Sequence, residues 1–133
     1  MTAHQKISRQ YKPALSKREA PRVPSRQRKA LGTICRKSKM PEADVLRYGI
    51  EAVLLGVNAG ELTLQQLRSN ETYDDMVSIR LSKDLRPLVD KLKSERRHLP
   101  TRADVFRACL DTMIAQEEKQ GFAWLIALRE KFI

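Results

Sequence analysis

The chain has 133 residues, enough for one domain or two very small ones and too few for most multi-domain enzymes. Its 26 Lys and Arg against 16 Asp and Glu give a formal charge of +10, which points to a polyanionic partner, nucleic acid ahead of an anionic membrane. Aromatic residues make up only 5%, so the expected core is aliphatic, and two cysteines without a CxxC pair exclude a disulfide scaffold or a zinc finger and fit a reducing cytoplasm.

The charge is uneven. Residues 1–39 hold twelve basic residues against one acid, Glu19, and the rest of the chain holds fourteen against fifteen. The opening residues, MTAHQKISRQYKP, have no apolar stretch of the kind a signal peptide carries. No run of about eighteen apolar residues suggests a membrane span. Residues 1–24 contain Pro13, Pro21 and Pro24 and little apolar surface. Such a segment cannot offset its ordering entropy, so it reads as a flexible basic arm, with the boundary set at residues 1–19. Arms of this kind bind phosphate backbones by releasing counterions.

Ser25 then reads as the cap of a helix with the apolar stripe Ala30, Leu31, Ile34 and Cys35. After the connector at residues 37–41 comes a second amphipathic helix, with Val45, Leu46, Ile50, Val53 and Leu54 at helical spacing. Asn58-Ala59-Gly60 reads as its stop, residues 61–67 as a short helical turn, and residues 69–75 as a polar run. Residues 76–82 alternate, with Val77, Ile79 and Leu81 apolar and Ser78 and Arg80 polar, which predicts a half-buried strand. So short a strand needs a partner strand. Ser82 is expected to cap the next helix, with the stripe Leu85, Leu88, Val89 and Leu92, and Pro87 falls early enough to be tolerated. After a connector at residues 95–100, Thr101 is expected to cap a further helix, with Asp104 closing a capping box. That helix carries Val105, Phe106, Cys109, Leu110, Met113 and Ile114, and Gly121 ends or bends it. The apolar tail that follows, with Trp124, either folds back onto the bundle or offers a partner surface.

One internal repeat organises these elements. Residues 43–47 read Ala-Asp-Val-Leu-Arg and residues 103–107 read Ala-Asp-Val-Phe-Arg, sixty positions apart. The match continues in character, with Ile50 against Leu110, Glu51 against Asp111, Val53 against Met113 and Leu54 against Ile114.

Residues 76–114 resemble the ribbon-helix-helix superfamily of Arc, MetJ and CopG type. Residues 20–54 resemble a second, worn copy whose helix pair matches and whose strand does not. That strand comes from residues 20–24, with their two prolines, or from residues 7–11. The fold class implied is mostly α with a two-stranded antiparallel ribbon, a tandem ribbon-helix-helix in one chain. The organisation expected is the arm at 1–19, the degenerate first repeat at 20–57, a linker at 58–75, the second repeat at 76–116, and a C-terminal helix at 117–133 packing on the core. Single-chain tandems of this kind occur among plasmid-transfer accessory proteins, notably the overdrive-binding type of the Vir region of T-DNA plasmids.

The resemblance implies sequence-specific binding of double-stranded DNA, with the ribbon in the major groove. Met76, Ser78 and Arg80 would face the bases, and Arg80 would be the guanine reader. Arg22 would be the outward residue of the other strand. Thr101 and Arg102 would hold a phosphate at a helix start. Arg18, Arg26, Arg28 and Lys29 complete the expected DNA-binding set. The implied role is a plasmid or T-DNA transfer accessory factor, or a transcriptional repressor, in the cytoplasm. The chain would be a monomer as an internal pseudo-dimer that can associate on DNA, with a relaxase or partition-type protein as a further partner and no membrane.

No enzyme, catalytic residue, metal or cofactor is expected, since no GxSxG, P-loop, HExxH or paired-carboxylate pattern occurs. Cys35 and Cys109 fall on apolar helix faces and read as core residues. His4 and His98 have no ligand partner at metal spacing. Arg96-Arg97 is a phosphate contact or a solvent-facing doublet. Two other functions compete: a protein-interaction module such as an antitoxin or adaptor, using the Trp124 helix, and an RNA-binding chaperone using the arm alone.

Overall fold

A computed structural model of the chain describes residues 14–133, so residues 7–11, one of the two proposed sources of the partner strand, lie outside it. The alternating stretch is extended: Val77, Ile79 and Leu81 are buried, whereas Met76 is 51% exposed and Ser78 and Arg80 face solvent. Its partner is the segment before the first helix. Strand β1 (Arg22–Val23) pairs antiparallel with β2 (Asp75–Met76), in the register Arg22 to Met76 and Val23 to Asp75. Isolated bridges carry the pairing on through Glu19 with Ile79 and Leu15 with Ser82. The Glu19 and Ile79 amides each donate to the other's carbonyl, at 2.8 and 2.7 Å, and the Lys83 amide reaches the Ala14 carbonyl at 2.8 Å. The arm boundary expected at residue 19 therefore falls inside the ribbon, because backbone groups of residues 14–19 are held by residues 79–83.

Two features keep the regular ladder short. Pro21 and Pro24 have no amide to give, although the Pro21 carbonyl accepts from Val77 at 3.2 Å. Between the two bridges, three residues (16–18) oppose two (80–81), so one extra residue bulges the first strand.

Five helices follow among the described residues: α1 (Ser25–Ser38), α2 (Glu42–Asn58), α3 (Pro87–Glu95), α4 (Arg102–Gln120) and α5 (Phe122–Lys131). Neither expected serine cap forms. Ser25 already lies inside α1; Pro24 holds the cap position, and its carbonyl accepts from Gln27 and Arg28. Helix α3 starts at Pro87, after a turn at residues 83–86, because a proline at the first position loses no needed hydrogen bond. The Ser82 amide is instead drawn to the Glu51 carboxylate at 2.6 Å.

Thr101 does cap α4 in a full capping box with Asp104. Helix α2 stops at Asn58, with Gly60 in the left-handed region. The helical turn expected at residues 61–67 is absent: the segment crosses α4 with Leu64 buried, and the Gln65 amide donates to Thr112 Oγ1 at 2.9 Å. One or two turns of isolated helix are marginal, and a side-chain acceptor on α4 competes for the backbone. Gly121, with φ 86°, separates α4 from α5.

Helix α2 is the centre of the molecule, in contact with α1, α3, α4 and α5. Its residues from Gly49 to Val57 are all buried. Leu31, Leu46, Ile50, Leu54, Leu110, Met113 and Leu125, with the single aromatic ring of Phe106, form the apolar centre. Each contributes about 1.5–3 kcal/mol by leaving water. Gly49 is required there, because a Cβ would lie 2.1 Å from Met113 Sδ. The inner face of the ribbon closes the same core through Val23, Val77, Ile79 and Leu81. Helix α5 covers α2 with Phe122, Leu125 and Leu128, and Trp124 is half-buried against the core.

Candidate nucleic-acid interface

The alternation that buries Val77, Ile79 and Leu81 turns Met76, Ser78 and Arg80 outward. On the other strand Arg18, Ala20 and Arg22 are exposed, and Arg22 lies directly across from Met76. The outer face of the ribbon is therefore a two-strand surface carrying three arginines. Arg80 Nε donates to the Ser16 carbonyl at 3.0 Å, across the bulge. That single bond fixes the base of the guanidinium and leaves its terminal nitrogens to face solvent.

Arg22 is positioned through its backbone. Its carbonyl accepts from Arg107 Nε at 2.8 Å. Arg107 is itself held by Asp104 at 2.8 Å and stacks 3.6 Å from the centroid of the Tyr73 ring. Arg107 thus ties the ribbon to α4 and to the segment before β2. It was not among the expected site residues, although the acid-arginine spacing inside the repeated pentapeptide was the available signal.

The remaining candidates divide by counter-charge. Lys29, like Arg18 and Arg22, is exposed and makes no ion pair among the described residues. Arg26 is spent: it grips Glu71 through Nε and Nη2, both at 2.6 Å, and Asp111 through Nη1 at 2.6 Å. Those bonds, Glu71 first, hold its guanidinium further above its already high value. Arg28 pairs with Glu42. Arg102 makes a fork-to-fork pair with Glu19, both bonds at 2.7 Å, and also meets Asp90; the Glu19 bonds chiefly raise its value.

The helix start at Thr101 is likewise occupied. Thr101 Oγ1 accepts from the Asp104 amide at 3.1 Å, and the Asp104 carboxylate accepts from the Thr101 amide at 3.3 Å and hydroxyl at 2.8 Å. A carboxylate stands where an incoming phosphate would bind. Of the doublet, Arg97 is exposed and Arg96 half-buried.

Two carboxylates bind the elements together reciprocally. Glu51 of α2, wholly buried, accepts from the Ser82 amide at the end of the ribbon and from Arg129 Nε of α5 at 2.7 Å. Asp111 of α4 accepts from Arg26 and from Gln27 Nε2, the latter at 3.0 Å, at the start of α1. Each central helix thereby fixes the junction leading into the other pair. Burial pushes the Cys109 thiol up to about 12 and raises the half-buried Cys35 as well. Among the described residues no group of His, Cys, Asp and Glu could hold a metal ion, and no helix is long and apolar enough to cross a membrane.

Comparison of the chain with protein-family models, with curated proteins and with solved structures finds no match.

Proposed function

We propose that the chain is a sequence-specific double-stranded DNA-binding protein, without enzymatic activity, that reads the major groove with its ribbon. One observation carries this reading: an antiparallel ribbon with its inner face sealed by Val77, Ile79 and Leu81 presents Arg80, Ser78, Met76 and Arg22 outward. A two-stranded ribbon fits the major groove, and arginine recognises guanine through two parallel hydrogen bonds. The reading includes a tandem ribbon-helix-helix architecture. Its support is the sixty-residue repeat and the reciprocal ties from Glu51 to Ser82 and from Asp111 to the start of α1. In such an architecture one polypeptide provides both halves of a dimer and is a monomer in solution.

The role that fits is an accessory factor in plasmid or T-DNA transfer, or a repressor, acting in the cytoplasm beside a relaxase or partition-type protein. The interaction-module alternative has less support, because Trp124 packs against the core. Arg80→Ala is the test. Binding to a duplex selected by the wild-type chain from a random pool should lose about 1–3 kcal/mol of discrimination at one base pair. Unchanged discrimination would remove the groove-reading role.

A further inference from the structure

The helix following each ribbon strand differs in charge. Residues 20–41 hold seven basic residues and no acid, whereas residues 83–97 around α3 hold six basic residues and three exposed acids, Asp84, Asp90 and Glu95. On α1, Lys29, Thr33 and Arg36 recur at i, i+4 and i+7 and share one face with Gly32. Among the described residues Lys29 and Arg36 have no carboxylate partner, and Arg36 donates to the Thr33 hydroxyl at 3.2 Å. These residues, with Arg28 and Glu42, line an open groove of about 500 Å³.

Gly32 is the unusual member. A glycine inside a helix weakens it relative to alanine. At Gly49 and Gly56 packing demands one, since a Cβ would meet Met113 Sδ at 2.1 Å and Leu62 Cδ1 at 2.9 Å. At Gly32 a Cβ would only touch Arg36 Nη1 at an ordinary 3.5 Å. Nothing among the described residues requires glycine there, so what it opens is a notch in the groove between two cations. Helix α1 leaves the ribbon through the single residue Pro24, which puts Lys29 about one turn from the ribbon.

We infer that this face of α1 seats a backbone phosphate of double-stranded DNA at Gly32, between Lys29 and Arg36. Bound DNA then extends over the α1 side of the ribbon, where the basic residues carry the fewest counter-charges. This rests on the DNA-binding reading and adds a sequence-independent, one-sided contact to it.

The test measures affinity over a salt series for the full chain on two duplexes, one selected by the wild type from a random pool and one of mixed sequence. Lys29→Ala/Arg36→Ala should weaken both duplexes equally, about tenfold, and reduce the salt slope by about 2. Gly32→Ala should raise Tm yet weaken both duplexes several-fold. Arg80→Ala should weaken only the selected duplex. A wild-type salt slope in the double variant, or full affinity in Gly32→Ala, overturns the α1 seat, and the ribbon reading then stands or falls on Arg80→Ala alone. Conversely, loss on both duplexes in the double variant with no effect of Arg80→Ala keeps the seat and removes the reader. If the wild type binds neither duplex, both fall.

Discussion

Helices α2 and α4 carry the same pattern sixty residues apart, and their environments have pulled it in different directions. An Asp-Arg pair three residues apart recurs as Asp44-Arg47 and Asp104-Arg107. At the helix start Pro41 stands against Thr101, in the middle Gly49 against Cys109, and two residues on Glu51 against Asp111. The difference comes from α5. It lies along α2, so the Glu51 carboxylate is wholly enclosed and answered by Arg129, while Asp111 keeps some solvent and is answered by Arg26. An acid that looks equivalent in sequence becomes a fully enclosed charge on one side of the molecule and one about 10% exposed on the other.

The sharpest way to break this comparison is to remove each acid in turn. Glu51→Ala leaves the Arg129 charge enclosed without its partner and should cost about 3–5 kcal/mol in urea unfolding. Asp111→Ala should cost less, because Arg26 keeps Glu71. Equal losses would mean that the extra helix has not changed the electrostatics. The middle position offers a smaller effect. Cys109 is enclosed, and burial holds its thiol protonated up to about 12. The folded state therefore binds the proton more tightly than the unfolded chain. That contribution is complete below about pH 9 and is lost as pH rises toward 12, by about 1.4 kcal/mol for each pH unit. Tm measured over this range should fall less steeply in Cys109→Ala. A parallel decline in both proteins would show that the thiol does not take part. The smallest effect is at the helix start: Thr101→Ala should cost about 1 kcal/mol, whereas Pro41→Ala removes no cap bond and should cost less.

Much of the ribbon was legible from period-two alternation, because residues 77–81 place their apolar side chains by local geometry alone. Its partner was legible only as one of two alternatives, residues 20–24 or 7–11, and the first of them supplies β1. The pairing of Glu19 with Ile79 spans sixty residues, and prolines at 21 and 24 hide the extended character of the segment that supplies it. Ser25 and Ser82 illustrate a second limit. A serine before an apolar stripe signals a cap, but Pro24 took the cap position at one site, and at the other a turn at residues 83–86 delays the helix to Pro87, beyond reach of Ser82. The candidate interface divides along the same line. Arg80 and Arg22 could be placed outward from their neighbours in sequence. Arg26 and Arg102 could not be recognised as spent, because Glu71, Asp111 and Glu19 reach them from 45 to 85 positions away. Periodicity reports on neighbours, and counter-charge is a property of the fold.

The ribbon joins two stretches of one chain that share no sequence. Arg18, Ala20 and Arg22 look out from one edge, and Met76, Ser78 and Arg80 from the other. A homodimer repeats one set of readers about a dyad, and its operators are palindromic for that reason. Under the proposed function this chain is freed from that constraint. Its target can be a directional, non-palindromic stretch, so that binding would give the DNA a left and a right, and dilution would not split the reader into halves.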